Sequence, residues 1–285
     1  MTGHMGVYPL MYDLVAETAE EKDRVRQVII DVTSHIVDNG FVLIGEKGTA
    51  TLWGRWDPIT VNSDPFYYDG RGLNAAEILG YLSVAYRITN NASYLSAFNE
   101  LVDQYHYSES AIGAKITQAS DVNYSDDELA YIAYFTFLWS GANATNPAFE
   151  KAKTDILVSV QRTYKYVAKE RSSWWSATTL AFYRQYGILD SAMKERLISD
   201  TLFCLQTWPT SFVTWPTDNS GRLDIELNPH TNDVQAMESI LPYDEITLLL
   251  WNGSPFDLKQ GSGHQEQDPS AWLLPYWLGR YLEMF

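Results

Sequence analysis

Cysteine is almost missing from this 285-residue chain, in which Cys204 is the single example. A disulfide within the chain is therefore excluded. This does not identify the compartment, because large secreted domains often lack disulfides. Cys204 lies in an apolar stretch with Phe203 and Leu205, so we expect it to pack as a small hydrophobic residue.

Basic residues are also scarce: 20 Lys and Arg stand against 36 Asp and Glu, for a net charge of −16. A field of this sign repels nucleic-acid phosphates and anionic lipid surfaces. No apolar run reaches the length of about 18 residues that a membrane span needs. The sequence therefore predicts a soluble protein with neither nucleic acid nor a membrane as partner, and it gives no indication of an oligomeric state.

The start of the chain lacks a signal peptide. Its first five residues, Met-Thr-Gly-His-Met, are typical of a cloning remnant ahead of the natural sequence. We therefore expect one helical domain over residues 6–285, since no linker or low-complexity run divides it. The localisation stays open, and secretion with removal of a signal peptide is compatible with this start.

Cofactor and metal motifs are absent as well. There is no His-x-x-x-His, Cys-pair or EF-hand spacing, and no nucleophile elbow, P-loop or dinucleotide-binding glycine pattern. These absences argue against esterase, kinase and dehydrogenase activities. The sequence predicts no bound metal and no cofactor.

What the chain does contain is helical patterning. Three segments begin with a Ser, Thr or Asn that is followed three residues later by Glu, as in a capping box. These pairs are Thr18 with Glu21, Asn74 with Glu77, and Ser125 with Glu128. Further apolar stripes recur at helical spacing, while residues 129–139, 246–251 and 272–278 are apolar nearly all round, which favours an interior position.

One region departs from this pattern. Residues 41–56 contain a Val-Leu-Ile run, a glycine turn and Thr-Ala-Thr-Leu-Trp, which predicts a small β-hairpin. The fold class is therefore all-α with one hairpin. Outer amphipathic helices that alternate with inner apolar ones resemble the (α/α) toroids of the six-hairpin type, found among glycoside hydrolases, polysaccharide lyases and some cyclases. The resemblance implies a closed or incomplete toroid, and no family motif accompanies it.

Aromatic side chains are abundant, with 10 Trp, 19 Tyr and 11 Phe. In Trp53-Gly-Arg55-Trp56-Asp57, two tryptophans flank an arginine before an irregular loop. Tryptophan faces stack on sugar rings, and arginine binds carboxylates or lies on aromatic rings. The alternative is a hairpin strand that packs Trp53 inward and leaves Arg55 in a surface ion pair. The predicted substrate-binding residues are Trp53, Arg55, Trp56, Asp57, Tyr68, Trp175, Trp215, Arg222, Tyr276 and Arg280.

Carboxylates on separate loops are the groups that glycoside hydrolysis requires, one as acid and one as base or nucleophile. The run Ser125-Asp-Asp-Glu128 offers adjacent acids, although helix capping explains them equally well. His264 and Glu266 lie on a glycine-rich loop with no structural explanation, and are a candidate catalytic pair. The predicted catalytic residues are Asp127, Asp224, Glu245, His264 and Glu266.

Together these features predict a carbohydrate-active enzyme, a glycoside hydrolase ahead of a polysaccharide lyase, whose partner is an oligosaccharide or other small molecule in an acidic, aromatic cleft. One alternative is a biosynthetic cyclase or isomerase, in which aromatic rings stabilise cations. Another is a noncatalytic interaction domain of a longer protein.

Overall fold

The computed structural model describes residues 1–117, 123–140, 146–208, 213–223, 225–227, 234–237, 259–266 and 268–285. These residues form two compact units. Unit 1 comprises Met1–Ile116 and Leu129–Arg162, and unit 2 comprises Thr117–Glu128 and Thr163–Phe285. Both units are built mainly from helices.

Eleven α-helices and six short strands follow one another in the described residues. The helices are α1 (Thr2–Leu10), α2 (Ala19–Asp38), α3 (Pro58–Asn62), α4 (Arg71–Thr89), α5 (Ala92–Asp103), α6 (Tyr107–Ala111), α7 (Tyr124–Ser140), α8 (Pro147–Val167), α9 (Ser173–Gln185), α10 (Ser191–Thr207) and α11 (Ser270–Tyr281). The strands are β1 (Val42–Ile44), β2 (Ala50–Arg55), β3 (Thr217–Asp218), β4 (Ile225–Leu227), β5 (Val234–Met237) and β6 (Lys259–Gln260). Met11–Val15 adds a π-helical turn, and Pro65–Tyr67 and Ala168–Glu170 add 3-10 turns.

The strands pair antiparallel as β1 with β2, β3 with β6, and β4 with β5. In the first pair, Val42 lies opposite Arg55 and Ile44 opposite Ala50. The turn between them contains Gly48 at φ +72°, a backbone conformation that suits glycine. The predicted all-α class and the hairpin within residues 41–56 are therefore confirmed for the described part of the chain.

The three predicted capping boxes have different outcomes. Thr18 and Glu21 form the reciprocal box and start α2, as predicted. The other two predictions were wrong. Helix α4 begins at Arg71, before Asn74, and both Asn74 and Glu77 bind groups elsewhere. Helix α7 begins at Tyr124, and the side chain of Asn123 accepts the bond from the Ser125 amide.

Helix α4 is the centre of unit 1 and packs against α1, α2, α3, α5 and α6. Most of its side chains are buried. Beside it, the Phe98 and Phe149 rings stack at 4.0 Å between centroids, with an interplanar angle of 5°. The first residues of the chain belong to this core, since Thr2 and Met5 are both buried.

In unit 2, α9 packs against α10 and α11. Cys204 is buried, as predicted, beside Trp208 and Ala271, and its thiol donates to Ser173 Oγ at 3.1 Å. Helix α11 was predicted to be interior because residues 272–278 are apolar all round. That prediction was wrong: Leu273, Leu274 and Trp277 are exposed on one face of α11.

No helix among the described residues is long and apolar enough to cross a membrane.

The stacked phenylalanines give a test of the unit 1 core. We expect Phe98→Ala to lower the free energy of unfolding by about 3–5 kcal/mol, because it removes a fully buried ring and leaves a cavity. The matched control is Phe66→Ala, since Phe66 is 65% exposed and its loss should change stability by about 0.5 kcal/mol or less. Urea denaturation of both variants measures the difference, and equal losses would contradict this assignment of the core.

Candidate functional site

Trp56 anchors the end of the hairpin in the core of unit 1. It is 2% exposed, and its ring meets the Tyr81 ring edge-on at 5.4 Å. Its indole Nε1 donates to Glu77 Oε2 at 2.9 Å, and its carbonyl accepts a 2.7 Å bond from the Tyr107 hydroxyl. Trp56 was predicted to contact substrate, but its indole N–H and its backbone carbonyl are both hydrogen-bonded to residues inside the fold.

The carboxylate of Glu77 is buried and hydrogen-bonded on both oxygens. Thr2 Oγ1 donates to Oε1 at 2.5 Å, while Oε2 receives the Trp56 bond. Thr2 Oγ1 also lies 2.9 Å from the Tyr81 hydroxyl. Burial, and secondarily the charge of Glu77, raise the pKa of Tyr81 well above its ordinary value. The sequence pattern suggested only a helix cap at Glu77, so this interior network was missed.

Because Trp56 is fixed, the positions of its neighbours Arg55 and Asp57 are fixed too. Asp57 caps α3: its carboxylate accepts from the Thr60 amide at 3.0 Å and from the Thr60 hydroxyl at 2.7 Å. It also lies 3.5 Å from Arg55 Nε. The backbone carbonyl of Arg55 accepts a 2.9 Å bond from Asn74 Nδ2. Arg55 and Asp57 are therefore held on the rim of unit 1.

Trp53 lies on β2, three residues before Trp56. Leu52 and Trp53 are both exposed, Gly54 is buried, and Arg55 is half-buried. Gly54 has no room for a side chain, because Leu43 and Thr51 pack against it. Trp53 is 71% exposed. The alternative in which Trp53 packs inward is therefore wrong.

The loop before α4 lies against the hairpin and adds further rings. The Tyr67 hydroxyl donates to the Leu52 carbonyl at 3.1 Å, and the Arg55 guanidinium lies 5.9 Å from the Tyr67 ring. Phe66 contacts Tyr67 edge-on at 4.9 Å. Phe66 and Tyr68 are both largely exposed. We call Trp53, Arg55, Phe66, Tyr67 and Tyr68 the aromatic surface.

The predicted acids in unit 2 begin with Asp127, in the first turn of α7. Its side chain is buried. The adjacent Glu128 is half-buried, and burial raises its pKa above the ordinary glutamate value. Glu128 belongs to the run of adjacent acids for which both a catalytic and a capping role were considered, and burial favours its protonated form.

The predicted pair His264 and Glu266 lies in an extended segment opposite residues 213–214. Val213 pairs with Glu266, and the Thr214 amide donates to the Gln265 carbonyl at 2.8 Å. Both side chains are exposed, and no hydrogen bond or ion pair joins them. The other two predicted acids, Asp224 and Glu245, lie outside the described residues.

Trp175 in α9 is buried, and its indole Nε1 donates to Glu170 Oε2 at 2.8 Å. The sequence analysis did not single out Glu170, because no motif marks it. The next residue, Arg171, has left-handed backbone at φ +49°, and its Nε donates to Asp200 at 2.9 Å.

The remaining predicted contacts are spread over unit 2. Trp215 packs against the cluster around Cys204, and Arg222 is half-buried. Tyr276 stacks on Trp272 at 4.7 Å, while the exposed Arg280 donates to the Phe285 carbonyl at 3.3 Å. Of the ten predicted binding residues, Trp53 and Arg55 lie on β2 and Tyr68 lies in the loop before α4, which the Tyr67 hydroxyl joins to the Leu52 carbonyl.

No group of three or more His, Cys, Asp or Glu side chains with metal-binding geometry occurs among the described residues. Comparison of the chain with protein-family models, curated proteins and solved structures finds no match. The chemistry of the site therefore has to be argued from its own residues.

Glu128 gives a pH-dependent test. Burial raises the folded-state pKa of Glu128. The stability that this pKa shift contributes is complete below the ordinary pKa of 4.5, where the carboxyl is protonated. It is lost as the pH rises through the folded-state pKa. We therefore expect Glu128→Gln to be more stable than the wild type at about pH 7 and to lose this advantage at about pH 4. Urea midpoints at both pH values measure the change.

The control for this test is Glu195→Gln, because Glu195 is exposed on α10. A Glu128→Gln variant that is less stable than wild type at neutral pH would show that the carboxylate is stabilised there, in contradiction to the desolvation argument.

Proposed function

We propose that the protein is a carbohydrate-active enzyme, a glycoside hydrolase ahead of a polysaccharide lyase, and that the aromatic surface binds its glycan. The observation that carries the proposal is the exposure of Trp53 on the hairpin, together with exposed Phe66 and Tyr68 in the loop that the Tyr67 hydroxyl joins to the hairpin. Large exposed aromatic rings are costly to leave in water, and their grouping is typical of ligand-binding surfaces.

The chemistry of the surface favours a sugar over an apolar ligand. The rings of Trp53 and Tyr68 offer flat apolar faces, and the Arg55 guanidinium and the tyrosine hydroxyls offer hydrogen bonds around them. A pyranose ring has the same character, with an apolar face of C–H groups and a rim of hydroxyls. The fixed strand and loop reduce the entropy that binding would cost.

For hydrolysis, two carboxylates about 5–10 Å apart are required, one of them protonated. Asp127, Asp224, Glu245 and Glu266, with His264, remain the predicted catalytic residues. The arrangement of the helical hairpins in a toroid, and the single domain over residues 6–285, likewise stay predictions.

A second candidate, a noncatalytic interaction domain, is favoured by one observation. Leu273, Leu274, Trp277 and Tyr281 recur at helical spacing on the exposed face of α11. A helix face of this kind is typical of protein contacts. The cyclase alternative remains a prediction from the aromatic content alone.

A pair of tryptophans separates these two candidates. We expect Trp53→Ala to weaken glycan binding about tenfold or more, because it removes a stacking face. Trp277→Ala is the matched control, since Trp277 is 63% exposed on α11 in unit 2. Isothermal titration against a panel of neutral and acidic oligosaccharides measures the affinities. The same panel, assayed for reducing ends and for unsaturated products, distinguishes hydrolysis from elimination.

If no oligosaccharide binds, or if the loss follows Trp277 instead of Trp53, the glycan proposal is wrong. In the second case the interaction-domain candidate gains support.

A further inference from the structure

The sequence contains four Asn-x-Ser/Thr triplets, the acceptor motif for N-linked glycans, and the function proposed above uses none of them. No proline stands at the middle position of any triplet, where it would block the motif. Two of them, Asn91-Ala-Ser93 and Asn123-Tyr-Ser125, lie in the part of the chain that the structure describes. The triplets that begin at Asn143 and Asn252 lie outside the described residues.

Asn91 lies at the surface, at the N-cap of α5. Its Oδ1 accepts a bond from the Ser93 amide at 3.0 Å, and Asn91, Ala92 and Ser93 are all exposed. The buried face of the same helix carries Tyr94 and Phe98. The core of unit 1 therefore holds α5 by its other side and leaves the acceptor triplet open to solvent.

Asn123 has the same arrangement directly before α7. It is exposed, and its Oδ1 accepts a bond from the Ser125 amide at 3.0 Å. In both triplets the side-chain oxygen supports the start of a helix, while Nδ2 donates no hydrogen bond to any residue that the structure describes. Nδ2 is the atom that carries an N-linked glycan, so the fold leaves free the atom that the modification needs.

Three asparagines outside such triplets use the same atom inside the fold. Nδ2 of Asn39, of Asn62 and of Asn74 each donates to a backbone carbonyl, at 2.7, 3.0 and 2.9 Å. A sugar on any of these nitrogens would bring a bulky group against the backbone. At Asn91 and Asn123 it would displace no hydrogen bond of the described structure.

The single cysteine fits the compartment in which N-glycosylation takes place. The lumen of the secretory pathway is oxidising, and an exposed unpaired thiol there tends to form intermolecular disulfides. Cys204 is 1% exposed and donates to Ser173 Oγ at 3.1 Å. Because the chain has no other cysteine, it presents no exposed thiol to that environment.

We propose that Asn91 and Asn123 are acceptor sites for N-linked glycans, which are attached in the secretory pathway from an oligosaccharide linked to a lipid diphosphate. Nδ2 forms a bond to C1 of the first sugar and loses one proton. The bond from C1 to the diphosphate oxygen breaks, and the lipid diphosphate leaves with the electron pair. Oδ1 remains an acceptor after the transfer, so both helix starts are preserved. This inference is independent of the glycan-binding function proposed above.

The protein purified from the cells that naturally produce it provides the test. Its peptides are treated with peptide N-glycosidase F in 18O-labelled water, which converts each glycosylated asparagine to labelled aspartate, and are then sequenced by mass spectrometry. We expect the label at residues 91 and 123. An unlabelled asparagine at either position overturns the assignment of that position.

Serine variants separate the acceptor motif from the helix start. When the full chain is secreted from eukaryotic host cells, Ser93→Ala and Ser125→Ala should each lose the glycan at the preceding asparagine completely, because the motif requires the hydroxyl. Ser93→Thr should keep it. Ser96→Ala, at an exposed position on α5, is the matched control and should keep both glycans. A glycan still present at Asn91 in Ser93→Ala would contradict the proposal.

The same variants produced without glycans in bacteria test the helix start. Ser93→Ala should unfold at the same temperature as the wild type, because Asn91 binds the backbone amide of residue 93 and not its hydroxyl. An equal unfolding temperature shows that the missing glycan reflects the motif. A lower one in Ser93→Ala, with Ser96→Ala unchanged, would show that the hydroxyl has a structural role, in contradiction to a role as glycan acceptor motif alone.

Discussion

The hydrogen bond from the Trp56 indole to the buried carboxylate of Glu77 is the interaction on which the candidate site depends. It ties the last residue of the hairpin to the central helix of unit 1, and the Tyr107 hydroxyl holds the same residue from the other side. With Trp56 fixed in the core, Trp53 lies three residues back on the exposed part of β2. The position of the aromatic surface thus follows from the hydrogen bonds that hold Trp56 in the interior.

The same arrangement determines the start of α4. Asn74 and Glu77 have the spacing of a capping box, but Asn74 binds the hairpin backbone and Glu77 binds Trp56 and Thr2. Neither side chain is available to cap the helix. Helix α4 therefore begins at Arg71 without a side-chain cap. The same two polar side chains hold the hairpin against α4.

Local patterns predicted the elements well, because they depend on neighbours in the chain. The box at Thr18, the hairpin with its Gly48 turn and the burial of Cys204 all followed from short-range rules. The role of Glu77 could not be predicted, because it depends on Thr2 and Trp56, which the fold brings close from elsewhere. The bond between Glu170 and Trp175 is local, but no motif marks it. The exposed face of α11 could not be predicted either, because an all-apolar segment does not indicate which of its sides is left uncovered.

The structure of the protein bound to an oligosaccharide is the measurement that tests this account most directly. The account predicts one sugar ring lying on the Trp53 indole, with Trp56 still bound to Glu77. An oligosaccharide bound elsewhere, with Trp53 open to solvent, would contradict it.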